Sequence, residues 1–250
     1  MLTPEEFYDD LAEDYDAMTQ FAVRLEKEKR ILAGVLELLS ARHAIDMGCG
    51  TGVHAVALAQ LGVEVTGVDV STRMLERARA HAGRHATVDS APVHFRQGDF
   101  LAPLPTASTD LLFCFGNSLS HLPSGGALAE VLAHWRHLLV PGGRVLIQLL
   151  NYRDILRHRE RIVSIRRESD TTIVRFYDFL DDALRFNILT ITDDDDGPSH
   201  SLRSTRLSPF TDEDILEAAD SGGFTSVETY ADLEFNPFED ESRNLVAVLG

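Results

Sequence analysis

The segment Asp46-Met-Gly48-Cys-Gly50-Thr-Gly52 constrains this chain more than any other stretch. It closes a short apolar run that starts at His43, and it precedes Val53–Leu61, which reads as a helix. Glycines between a strand and a helix permit a sharp bend and let a ligand come close to the backbone. The first N–H groups of the following helix then point at that ligand. The same strand–helix rhythm continues downstream. Gly62–Val70 is β-branched and ends in Asp69, and Ser71 is placed to cap a helix running to about His81. Val93–Asp99, Asp110–Asn117 and Arg144–Asn151 read as strands, the last two separated by a helix near Ala127–Leu139 that stops at Pro141-Gly142-Gly143. Such alternation implies a parallel sheet with helices on both faces.

The flanks differ. Leu25, Ile31, Leu32, Val35, Leu36 and Leu39 recur at helical spacing, so residues 1–40 are expected to form a helical cover. After about Arg161, Ile162–Arg166, Thr171–Phe179, Leu184–Thr192 and Leu202–Leu207 read as strands joined by turns, one of them Asp193-Asp194-Asp195-Asp196-Gly197-Pro198. Thr211 and Asp214 suit a variant capping box for a helix at Thr211–Ser221, and Val227–Leu233 and Asn244–Leu249 return to the main sheet. The expected fold class is α/β: a Rossmann-like, doubly wound, mostly parallel sheet with an antiparallel last strand and an antiparallel β insertion. The division is 1–40 (cover), 41–160 (ligand-binding core), 161–209 (insertion, read as a substrate lid) and 210–250 (completion of the sheet).

A net charge of −17 disfavours broad contact with phosphate backbones or anionic lipid. No apolar run reaches a membrane-spanning length, and the acidic N-terminus lacks the features of a secretory signal. The two cysteines, Cys49 and Cys114, make neither a disulfide framework nor a zinc spacing. The expectation is a cytoplasmic protein with no metal, no nucleic-acid or membrane partner, and self-association left open. Lys27 and Lys29 are the only lysines, and acid excess with little lysine suits solubility at high salt.

Three anchors suggest the ligand. The dinucleotide fingerprint would need glycine at position 53, where Val53 stands, so the turn suits a ligand without a pyrophosphate; S-adenosylmethionine (SAM) is one. Asp69, at the end of the second strand, can accept hydrogen bonds from a ribose diol. Asp99 can accept from an adenine amine, with Phe100 packed on the ring. Asp46, Val70 and Phe115 stand at the same strand ends and join the cofactor-binding candidates.

With these residues in place, the chain resembles the class I SAM-dependent methyltransferases through Asp46–Gly52, Val65–Arg79, Gly98–Phe100 and the final strands. The resemblance implies that Gly48 and Gly50 hold the methionine end, Asp69 the ribose, and Asp99 and Met74 the adenine. Cys114–Leu122 and Asn151–Leu156 are similar to segments of glycine and glycine/sarcosine N-methyltransferases. That likeness implies that Arg24 reaches the SAM carboxylate, that Tyr15 covers the active site, and that Asn117 and His121 lie beside methyl donor and substrate. One departure stands out. Leu150 occupies the place of an arginine that pairs with the glycine carboxylate, and leucine cannot neutralise that charge. Arg153 and Arg175 are the alternatives.

The expected activity is transfer of a methyl group to the nitrogen or oxygen of a small-molecule acceptor by in-line displacement, with Asn117, His121, Tyr15 and Tyr152 as positioning or catalytic candidates. His121 suits a proton-transfer role and a loop-fixing role equally well. Arg24 is also spaced to pair with Glu28, and Tyr15, like Phe7 and Tyr8, could be a packing aromatic of a surface helix. Arg175, Phe176, Tyr177, Phe179 and Arg185 are the insertion's pocket candidates. The rival readings are a glycine/sarcosine N-methyltransferase making osmolytes, a SAM-binding sensor without catalysis, and an NAD enzyme, against which Val53 argues.

Overall fold

The computed structural model describes residues 1–194 and 197–250, without the side chains of residues 13, 14, 16–19, 168 and 194. Two helices open the chain, α1 (Pro4–Thr19) and α2 (Phe21–Leu39). There follow β1 (His43–Met47), α3 (Val53–Gln60), β2 (Glu64–Asp69), α4 (Thr72–His85), β3 (Val93–Gln97), β4 (Thr109–Cys114), α5 (Gly125–Leu138) and β5 (Leu139–Leu150). A short helix α6 (Tyr152–His158) leads into β6 (Ile162–Glu168), β7 (Thr171–Phe179), β8 (Leu184–Asp194) and β9 (Gly197–Leu207). The chain ends with α7 (Asp212–Ser221), β10 (Val227–Tyr230) and β11 (Asn244–Leu249).

The main sheet has the order β10-β11-β5-β4-β1-β2-β3. β1 to β5 are parallel, and β11 runs antiparallel to both β5 and β10. The strand order reverses at β1, which lies between β2 and β4, and open α/β sheets bind ligands outside the carboxyl ends of the strands at such a point. Side chains that alternate along each strand feed two cores. On one face, Leu112, Cys114, Val145 and Ile147 pack with Trp135, Leu132 and Ile215 from α5 and α7. On the other, Leu111, Phe113, Leu146 and Val246 pack with Leu25, Leu32, Val35 and Val56 from α2 and α3. Each large apolar side chain so buried contributes about 1.5–3 kcal/mol.

The caps read from sequence form. Ser71 accepts from the Met74 N–H, and Thr211 and Asp214 make the reciprocal capping box. Four details differ from expectation. α4 continues to His85 rather than His81. β5 begins at Leu139, ahead of Pro141-Gly142-Gly143, and its pairing with β4 slips between Thr109 and Leu111. Gly143 there lies so close to the carbonyl oxygens of Thr109, Asp110 and Val140 that a Cβ would sit 3.1 Å from each. β9 starts at Gly197 instead of Leu202, and of the four-aspartate link Asp193 and Asp194 belong to β8 while Asp195 and Asp196 lie outside the described residues. Finally, α6 follows the strand that ends at Leu150. Asn151 caps it, and the Asn151 side-chain amide donates to the carbonyls of Asp240 and Ser242, both at 2.8 Å.

β6 to β9 form a separate antiparallel sheet in chain order. α1 joins this sheet to the nucleotide-fold core. Leu2 N–H donates to Ser204 O at 2.9 Å, and Phe7, Leu11 and Ala12 cluster with Met74 and Ile188. Asp9 accepts from the Ser71 hydroxyl at 2.5 Å and the Arg73 N–H at 3.3 Å, which fastens α1 to the start of α4.

Candidate active site

The glycine turn folds as its sequence requires. Gly48, Gly50 and Gly52 have φ of 76°, 54° and 81°, a region costly for residues with a Cβ. At Gly48 a Cβ would also meet Ser118 at 2.9 Å, whereas at Gly50 it would meet no protein atom within 4 Å. Gly48 and Cys49 donate their N–H groups to Val68 O at 2.8 and 3.0 Å, which ties the turn to β2. The Asp69 carboxylate then bridges the two motifs, accepting from Gly50 N–H at 2.8 Å and Ser71 N–H at 2.9 Å. Burial pushes its pKa up, and those N–H groups oppose the rise.

A cavity of about 240 Å³ lies between these strand ends and α1. Gly48, Gly50, Asp69, Val70, Met74, Asp99, Phe100, Phe115, Arg24, Tyr15 and His121 all line it, so residues from α1, α2, α4 and the carboxyl ends of β1 to β4 converge. Asp46 does not. It is 1% exposed beneath the turn, burial raises its pKa well above the usual range, and its Oδ2 has no hydrogen-bond partner among the described residues. Asn117 and Tyr152 also stand outside the lining. Asn117 donates through Nδ2 to the Tyr152 hydroxyl at 2.7 Å, and its Oδ1 accepts from Leu150 N–H and the Ser120 hydroxyl, both at 3.1 Å. These bonds occupy Oδ1 and one N–H of the Asn117 amide, and burial pushes the Tyr152 phenol up to about 12. The pair joins the ends of β4 and β5 to the 3-10 turn Ser118–His121 that carries His121.

His121 Nε2 is 3.1 Å from the Tyr8 hydroxyl of α1. Burial lowers its pKa to about 4, only partly offset by the Arg206 backbone, so the imidazole is neutral at pH 7. A buried neutral histidine makes stability pH-dependent with a definite sign. Between its folded pKa near 4 and the unfolded value of 6.5 the unfolded chain binds more protons, so stability falls as pH falls through that window. Wild type should therefore lose on the order of 3 kcal/mol relative to His121→Gln between pH 6.5 and 4. Denaturant melts at several pH values measure this, and parallel pH profiles for the two proteins would show that His121 does not titrate abnormally.

Arg24 donates from Nε to Glu28 at 3.4 Å, and its Nη2 is 3.4 Å from His54 Nε2. Burial and the Arg24 charge hold His54 well below its usual pKa, so Arg24 is the cation of the group and His54 a neutral acceptor. The 3.7 Å contact of His54 with Glu28 is accordingly polar rather than ionic.

Sequence reasoning did not select Tyr8, His54, Cys49 or Ser118 as site residues, and all four line the cavity. Tyr8 lies seven residues before Tyr15 on α1, two helical turns apart on one face, a spacing that could have singled it out. Of the insertion's candidates, Tyr177 is buried with Tyr152, Leu184 and Leu207. Arg185 pairs with Asp178 at 3.3 Å, and Arg153 pairs with Asp212 at 2.7 Å and Glu213 at 3.2 Å. Arg153 therefore does not replace the arginine missing at position 150.

Residues 44–143 match the family model described as a methyltransferase domain. The chain is 34% identical to a ubiquinone biosynthesis O-methyltransferase of Paracidovorax citrulli (strain AAC00-1) over 45% of each chain. It is 28% identical to a glycine/sarcosine N-methyltransferase of Halorhodospira halochloris over 62% of this chain and 57% of that one. The matches thus span about half the length of these relatives. Among solved structures it is similar to the CcbJ methyltransferase of Streptomyces caelestis, with a TM-score of 0.77 and 27% identity over 89% of this chain and 88% of that one. The methyltransferase-domain match and these likenesses support a class I SAM-dependent methyltransferase.

Proposed function

We propose that the protein transfers a methyl group from SAM to a nitrogen or oxygen atom of a small-molecule acceptor. The observation that carries this reading is the convergence of the glycine turn, Asp69, Asp99 and Arg24 on one cavity roofed by α1. The residues present fit SAM. Gly50 leaves open space where a side chain would stand, so the turn's backbone and Arg24 suit the amino-acid end. Asp69 keeps lone pairs beyond its two backbone bonds for the ribose hydroxyls, and Asp99, Phe100 and Met74 suit the adenine.

When bound, SAM supplies a methyl group on a sulfonium, already a good leaving group. The protein has to bring the acceptor into line and exclude water. Tyr8, Tyr15 and His121 bound the cavity on the α1 side and are the groups we assign to that task. With a pKa near 4, His121 is poorly matched to take a proton at pH 7, so it acts as a hydrogen-bonding partner that orients Tyr8 and the acceptor. Asn117 and Tyr152 support the turn that carries His121 from behind.

A nitrogen acceptor is favoured by the likeness to the Halorhodospira halochloris N-methyltransferase, and glycine itself is disfavoured by Leu150. The test is S-adenosylhomocysteine release with a panel of amines, phenols and alcohols that includes glycine and sarcosine. Turnover of a small acceptor with little use of glycine supports the reading. Cofactor uptake without turnover of any acceptor would instead favour a sensor.

A further inference from the structure

The inner face of the antiparallel sheet carries a positive charge that no partner among the described residues neutralises. Arg175 lies on β7 directly opposite Ser164 of β6 and Ile188 of β8. Ile188 belongs to the cluster with Phe7, Leu11 and Met74, so this face looks toward α1. The Arg175 guanidinium is partly buried and makes no hydrogen bond or ion pair with any described residue. Burial and neighbouring Arg166 both disfavour its cation, and the phenol of Tyr15 stands close by. Beside it, the buried Ser164 hydroxyl also lacks a partner among the described residues. Cross-strand neighbours have Cβ atoms about 5 Å apart, so the two donors can serve one ligand. Tyr15, which stands near Arg175, lines the cofactor cavity.

Two donors without acceptors among the described residues, one of them charged and both on the inner face of the sheet, form a costly arrangement in the free protein. The cost is recovered when an anion arrives, because a guanidinium and a hydroxyl together make charge-assisted bonds to a carboxylate or phosphate. We propose that Arg175 and Ser164 form an anion subsite next to Tyr15, and that the methyl acceptor carries an acidic group which binds there. The inference rests on the methyltransferase reading above, since it names the acceptor's chemistry. It also places the carboxylate-recognising charge on the insertion instead of at position 150, where Leu150 stands.

The test uses the full chain saturated with S-adenosylhomocysteine and titrated by calorimetry with acetate and, separately, inorganic phosphate. At least one anion should bind saturably, and Arg175→Gln should weaken that binding roughly tenfold to a hundredfold. Ser164→Ala should weaken it less, and Arg175→Lys should retain part of it. Preference for acetate indicates a carboxylic acid acceptor and preference for phosphate a phosphorylated one; either supports the subsite. In anion-free buffer Arg175→Gln should melt at or above the wild-type temperature, because it removes a partly buried charge with no partner among the described residues. Anion binding that is absent, or equal in wild type and Arg175→Gln, overturns the subsite, and so does a fall in melting temperature, which would reveal an internal partner. Failure of S-adenosylhomocysteine to bind wild type would overturn the cofactor reading instead, so the two failures are distinguishable.

Discussion

Asp69→Ala should weaken S-adenosylhomocysteine binding by about 1.5–3 kcal/mol, the range for hydrogen bonds to a charged partner. The structure adds a second consequence. Asp69 accepts from Gly50 and Ser71 within the fold, so its removal leaves two N–H groups at the turn and at the start of α4 unpaired. Each such loss costs on the order of 1–3 kcal/mol if water does not reach the group. Affinity and melting temperature should therefore fall together, whereas a ribose contact alone would move only the affinity. Asp69→Asn, which keeps an acceptor but not the charge, should lie between wild type and Asp69→Ala on both scales. Calorimetry and thermal melts on the three proteins check this, and unchanged affinity in Asp69→Ala would remove the ribose assignment.

Trp135→Ala should destabilise the protein by about 3–5 kcal/mol, the usual cost of emptying a buried aromatic site. Trp135 is fully buried between α5 and the sheet, meets Phe100 edge to face with ring centroids 5.9 Å apart, and donates from its indole N–H to the Phe100 carbonyl at 2.8 Å. Phe100 lines the cavity, so a loss that begins in the core reaches the wall assigned to the adenine. Trp135→Phe should retain most of the packing and lose the hydrogen bond, at about 1 kcal/mol. Urea unfolding of both variants gives the stability term, and S-adenosylhomocysteine titration gives the effect on the wall. Equal stabilities for wild type and Trp135→Ala would mean that the indole is not a core element.

Much of the parallel sheet was legible in the sequence because its signals are local. Asp46–Gly52 and Asp69 each close an apolar strand, Asp99 follows a strand in which Val93 and Phe95 alternate with polar residues, and a glycine or acid at a strand end announces itself within a few residues. Helix α6 left a weaker trace, since seven residues containing three basic side chains show little apolar periodicity, and the bonds from Asn151 to Asp240 and Ser242 that fix its start come from far along the chain. The same physics divided the site. The side assigned to the cofactor follows from strand ends, but the α1 side depends on contacts such as Tyr8 with His121, separated by 113 positions, which no local pattern records. Asn117 and Tyr152 stood out as reactive residue types in a suggestive motif. Their side chains bond to one another and to the backbone, and the cavity is lined by their neighbours Ser118 and His121.

The most direct test of the central claim is calorimetric titration of the purified protein with SAM and with S-adenosylhomocysteine, repeated with NAD. Saturable one-to-one uptake of the two sulfur compounds, with no heat from NAD, is the expected result. Absence of binding by either sulfur compound at millimolar concentration would contradict it.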